Sequence, residues 1–147
     1  MKKVLVVYYS GSGNTEALAK AVGEGAASVE GVKAEVKRAA DADASDLLSC
    51  DAVAFGTPDY FSYMAGMLKD FFDRVYYKAL GKVDGRPCAA FVSHGGGGKA
   101  AESVERLSSA MRLRKAGDTL SVKGKPSAEA LEKAKKLGKD LAEAIGF

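Results

Sequence analysis

Short apolar runs alternate along this chain with stretches whose apolar residues recur every three or four positions. Lys3–Tyr9 is the first run, Val-Leu-Val-Val-Tyr-Tyr, too short and too β-branched for a helix. A strand buried on both faces of a sheet has this pattern. After a glycine-serine loop, Leu18, Ala21, Val22, Gly25, Ala26 and Val29 trace a helical stripe over Asn14–Val29. Val32–Arg38 alternates apolar and polar residues, the mark of a half-buried strand nearer an edge. Asp41–Ser49 is acidic and reads as a short helix or turn. Asp51–Gly56 predicts another buried strand, with Thr57-Pro58 as its stop. Met64, Met67, Leu68, Phe71, Phe72 and Val75 give the clearest helical period in the chain. Pro87–Ser93 predicts a fourth strand, and Ala101, Val104, Leu107 and Met111 the helix after it. Gly117–Val122 is a fifth strand of weaker pattern. Leu131, Ala134, Gly138, Leu141 and Ile145 predict the last helix, with Pro126-Ser127 as its start signal.

Strict alternation of strand and helix implies right-handed crossovers and a parallel sheet with helices on both faces. Five strands in one domain over residues 1–147 predict an α/β fold with the doubly wound order 2-1-3-4-5. Ligands of such sheets sit beyond the carboxyl ends of the strands, where the strand order reverses. Here those ends are the loops at 10–15, 57–63 and 93–98, which are also the most unusual in composition.

Composition narrows the function classes. Apolar residues make up 47% and charged residues 28%, an ordinary balance for a soluble globular protein. The net charge of +3 is uneven, with 11 Lys/Arg against 12 Asp/Glu in residues 1–98 and 11 against 7 in residues 99–147. No dense basic stripe with interleaved aromatics is present, so nucleic acid is not an expected partner. No apolar stretch approaches the roughly 18 residues that span a bilayer, so no membrane role is expected. Cys50 and Cys88 form neither a disulfide framework nor a CxxC pair, and no secretory leader follows Met1, which points to the reducing cytosol. One histidine and two distant thiols argue against structural zinc.

The first loop reads Ser10-Gly11-Ser12-Gly13-Asn14-Thr15. Backbone N–H groups at a helix start, with hydroxyls beside them, can wrap a phosphate dianion without any cation. A cap from Asn14 or Thr15 is the simpler alternative. Capping needs one such residue and this loop supplies six in a row, which favours the phosphate. Competing phosphate motifs fail. No lysine lies in the loop, and Gly95-Gly96-Gly97-Gly98-Lys99 is flanked by Ser93 and Ala100 where a P-loop needs glycine and a hydroxyl. A GxSxG elbow is also absent, so the His94–Gly97 run is no sign of a hydrolase.

The SGSGNT loop after a buried strand resembles the phosphate loop of the flavodoxin family, T/S-x-T/S-G-x-T. Gly56-Thr57-Pro58-Asp59-Tyr60-Phe61-Ser62-Tyr63-Met64-Ala65-Gly66 is similar to the second flavin loop of the flavodoxin-like NAD(P)H:quinone reductases. Ser93-His94-Gly95-Gly96-Gly97-Gly98 resembles their glycine-rich third loop. The resemblance covers nearly the whole chain and implies a flavodoxin-like fold with one non-covalent FMN. It implies phosphate contacts from Ser10, Gly11, Ser12, Gly13, Asn14 and Thr15. Ring contacts would come from Thr57, Pro58, Asp59, Tyr60, Phe61 and Ser62, and from Ser93, His94, Gly95, Gly96, Gly97 and Gly98. Tyr60 is the expected stacking residue, with Phe61 and Tyr63 as the other aromatics in reach. Asp59 is either a ring contact or a turn residue after Pro58. His94 either assists proton movement at the flavin or is an ordinary loop histidine. The glycines after it are either an anion-binding nest or a plain entry to the next helix. Cys88 reads as an inert buried thiol.

Some features depart from an electron carrier of that family. Carriers commonly close the outer flavin face with an aromatic in the third loop, and residues 94–98 hold no Phe, Tyr or Trp. Carriers often place a glycine in the second loop, where a peptide flip stabilises the one-electron-reduced flavin. Thr57–Tyr63 has none, and φ > 0 would cost a non-glycine residue energy. Typical carriers are also strongly acidic. The expectation is a redox flavoprotein passing electrons to a partner protein or a quinone. An NAD(P)H-dependent quinone or flavin reductase and a flavin-free interaction module are the alternatives. Tetrameric reductases carry extra segments between subunits, for which 147 residues leave little room, so a homo-oligomer stays open.

Overall fold

Alternate residues of the central strand feed two different cores, which is why its sequence is apolar throughout. In β1 (Lys2–Tyr8), Val4, Val6 and Tyr8 pack on one face of the sheet, and Leu5 and Val7 on the other. The computed structural model describes residues 1–146, so Phe147 of the expected domain lies outside the described residues. β1 is flanked in parallel by β2 (Val32–Arg38) and β3 (Ala52–Tyr60), and β3 in turn by β5 (Pro87–His94). Beyond β5 the fifth position is filled by two short parallel pieces, β6 (Arg114–Lys115) and β7 (Leu120–Lys123). The positions therefore follow the expected doubly wound order. α1 (Asn14–Ala27) and α5 (Ala128–Glu143) cover one face, while α2 (Ala44–Ser49), α3 (Gly66–Ala79) and α4 (Ala100–Ala110) cover the other. No helix is long and apolar enough to cross a membrane among the described residues.

The continuous fifth strand expected at Gly117–Val122 is divided. β5 advances three residues from Cys88 to Phe91 while its partner advances five, from Lys115 to Leu120. The extra residues leave the ladder, and the Thr119 hydroxyl donates to Glu105 of α4 at 2.6 Å. That bond holds the Glu105 carboxyl below its ordinary range.

β3 also runs past its expected stop. Gly56 accepts from the Tyr9 amide, so the next residue facing β1 is Pro58, where β1 has already ended. The missing proline N–H falls on a free edge, and the strand continues without losing a bond. It then turns back through a two-residue antiparallel strand, β4 (Tyr63–Met64), which pairs with Asp59 and Tyr60.

α1 and α5 approach so closely that only glycine fits. A Cβ on Gly25 would lie 1.8 Å from the Lys135 carbonyl oxygen, and one on Gly138 1.9 Å from that of Val22. The helix that follows the first loop is thereby seated on the last helix of the chain.

Candidate functional site

The three loops singled out in the sequence meet at the carboxyl end of the sheet, and side-chain contacts join them. The Thr15 hydroxyl, at the start of α1, lies 2.7 Å from that of Ser93 at the end of β5, and both are buried. Tyr60 reaches from the second loop over the first, so close that a Cβ on Gly11 would meet its hydroxyl at 2.5 Å. Asp59 Oδ2 accepts from the Ala100 amide at 3.0 Å and ties the second loop to the start of α4.

The first loop is an amide-rich cup. Gly13 precedes α1 at φ 101°, a conformation that favours glycine, and no side chain caps the helix. Ser10 Oγ accepts from the Gly13 amide at 3.0 Å and tightens the turn. Ser12 is exposed and Asn14 half-buried. The expected alternative, a cap from Asn14 or Thr15, does not form: Thr15 turns inward to Ser93. The first turn also carries Glu16, whose carboxylate is matched by Arg38 at 2.9 Å and Lys20 at 3.8 Å. Glu16 also accepts from the Tyr8 hydroxyl at 3.3 Å. Burial, followed by the Glu16 charge, raises the Tyr8 pKa.

The second loop is tied down by its own polar groups. Thr57 Oγ1 donates to the Pro58 carbonyl at 2.7 Å and accepts from the Ala65 amide at 2.8 Å, which fixes the entry to α3. The Met64 amide donates to Ser103 of α4 at 3.0 Å. Asp59 Oδ1 accepts from the Ser62 amide at 2.9 Å, so Asp59 is a turn residue and both its oxygens are engaged. Pro58 is half-buried behind it. Tyr60 lies edge-on to Tyr9, with ring centroids 6.2 Å apart. Phe61 and Ser62 form the hairpin tip at φ 58° and 63°, and Phe61 is fully exposed. The loop thus adopts positive φ without a glycine.

In the third loop the His94 imidazole lies against Gly98, and a Cβ there would come within 3.3 Å of the ring and 2.8 Å of Ser121 Oγ. His94 Nδ1 is buried and has no hydrogen-bond partner. Gly95, Gly96 and Gly97 are exposed backbone. Cys88 and Cys50 are free, buried and remote from these loops, and burial pushes the Cys50 thiol up to about 11.

Tyr9 and Ser103 were not singled out in the sequence. Tyr9 had a signal, since it ends the apolar run immediately before the loop. Ser103 had none, because a serine inside an amphipathic helix looks like any surface residue.

An uncapped helix start, an aromatic wall and exposed glycine backbone fit a group with an anionic end and a flat ring. Comparisons with known proteins identify the family. The sequence model of the family described as Flavodoxin matches residues 6–138. A flavodoxin of Aquifex aeolicus (strain VF5) is 40% identical over 98 residues, 67% of this chain. Those residues are 53% of that relative, so the match spans about half its length. A solved archaeal flavodoxin superimposes with a TM-score of 0.88 at 31% identity, over 96% of each chain. Flavodoxin 1 of Bacillus cereus shares the fold, with a TM-score of 0.86 at 22% identity over 99% of this chain and 100% of that one.

Proposed function

Because this chain belongs to the flavodoxin family, we propose that it binds one FMN at the three joined loops and serves as an electron-transfer protein. The observation that carries this reading is the uncapped start of α1 inside the Ser10–Thr15 cup. Free amides at the positive end of a helix dipole stabilise a phosphate dianion there. Ser12, Asn14 and the Gly11 backbone are proposed to surround the phosphate, a reading supported by the Ser10–Gly13 bond that tightens the turn and by Thr15, which braces the cup through Ser93. Tyr60, supported by Tyr9, offers a flat apolar wall, and the Gly95–Gly98 backbone permits close approach to the ring edge. Bound FMN supplies an isoalloxazine that takes up and releases electrons. His94 is proposed to hold a proton beside it through Nε2, since Nδ1 is shut from solvent. A partner protein is the proposed electron acceptor. A cytosolic location belongs to the same proposal, supported by two free, buried thiols.

Titration of the flavin-free chain with FMN and with riboflavin tests the reading. FMN should bind at least about tenfold more tightly, because only FMN carries the phosphate. Tyr60→Ala should weaken both ligands alike and restore flavin fluorescence. Equal affinity for the two ligands removes the cup from the phosphate. Binding of neither leaves an interaction module of the same fold.

A further inference from the structure

Seven large hydrophobic side chains are exposed among the described residues, and four of them, Tyr60, Phe61, Tyr63 and Met67, fall in residues 60–67. Phe61 is the extreme case, fully exposed and held in the left-handed region at φ 58°, with Ser62 following at φ 63°. Asn-Gly would make this turn without strain. An L residue pays for the conformation, and here nothing in the fold rewards the ring with burial. Strain and exposure at one tip mark a surface kept for contact.

The charges beside that tip are mainly cationic. Lys99 precedes α4, whose first amide is held by Asp59 of the hairpin. Lys123 is the register partner of His94, the Gly124 amide donates to the His94 carbonyl at 2.9 Å, and Lys125 follows. All three lysines are exposed, and none pairs with a carboxylate among the described residues. Nearby, Asp59 has spent both oxygens on amides, and Glu102 is the exposed acid of the α4 first turn. An apolar centre with an unpaired cationic edge is the anatomy of a protein-docking face whose partner is acidic.

We propose that the β3–β4 tip together with Lys99, Lys123 and Lys125 docks an acidic redox protein beside the site. The partner's role rests on the electron-transfer reading, but the surface itself does not. The test is binding of an acidic plant-type ferredoxin, against basic mitochondrial cytochrome c, to the immobilised chain with and without FMN. Ferredoxin should bind in low salt and lose at least about tenfold in affinity as ionic strength rises from about 0.01 to 0.5 M. The triple variant Lys99→Glu/Lys123→Glu/Lys125→Glu should lose at least tenfold in low salt, roughly the same range. Phe61→Ser should lose several-fold, and the remote control Lys78→Glu/Lys82→Glu/Lys139→Glu nothing. Preference for cytochrome c, or ferredoxin binding indifferent to salt or to the triple variant, overturns the proposal. Salt-dependent ferredoxin docking by a chain that takes up no FMN would uphold the surface and refute the flavin reading. FMN uptake without docking would do the reverse.

Discussion

Two glycine-rich loops end β1 and β5, the strands on either side of β3, and each leads into a helix that lacks a cap of its own. At α4 the protein fills the vacancy itself, since Asp59 reaches across from β3 and accepts from the Ala100 amide. At α1 no side chain does so, and Gly13 leaves the first turn open. α2 and α5 show the ordinary solution, with Asp43 and Ser127 as caps. A run of glycines is therefore a poor guide to an anion site, because Gly95–Gly98 resembles a nest and already faces a carboxylate. The start of α3 is uncapped as well, so the proposed site rests on the open start of α1 together with the Ser10–Thr15 loop that leads into it.

The largest expected effect comes from removing that internal carboxylate. Asp59→Ala deletes two charge-assisted hydrogen bonds and should lower the stability of the flavin-free chain by about 3 kcal/mol in urea unfolding. Asp59→Asn keeps the shape and drops the charge, and its preference for FMN over riboflavin should match the parent's. If that preference falls, the two helix starts share the anion and the contrast between them fails. Next in size is Ser12→Ala. It should weaken FMN by about 1.5–3 kcal/mol, leave riboflavin unchanged and shift unfolding by less than about 0.5 kcal/mol. A comparable loss of stability would make Ser12 a structural residue like Asp59. The smallest effect is a gain: Ser62→Gly should stabilise the chain by about 1 kcal/mol, because glycine accepts the left-handed turn. A loss there would mean that the tip is not strained.

The strands and helices were legible because apolar spacing records which face each residue buries, and β1 and α3 show it most directly. The overrun of β3 past Pro58 was not, since the sequence cannot say that β1 has already ended beside it. Nor was the hairpin, whose tip carries Phe61-Ser62 in place of any turn dipeptide. The division of the fifth strand depends on Thr119 finding Glu105, a contact 14 residues away. For the site, the order Ser-Gly-Ser-Gly-Asn-Thr located the open helix start. Sequence alone could not show that Thr15 would face Ser93, 78 residues on, and act as a brace.

The glycine contact between α1 and α5 also has a consequence in time. Gly25 and Gly138 stand 113 residues apart (138 − 25), so at the usual pace of about 5–20 residues per second their synthesis is separated by on the order of ten seconds. During that interval the helix behind the Ser10–Thr15 cup can rest on β1, β2 and β3 but lacks its glycine contact with α5. A nascent chain arrested before residue 128 should therefore hold α1 less firmly than the full chain, and the flavin proposed for this loop should be held more tightly once α5 has been made.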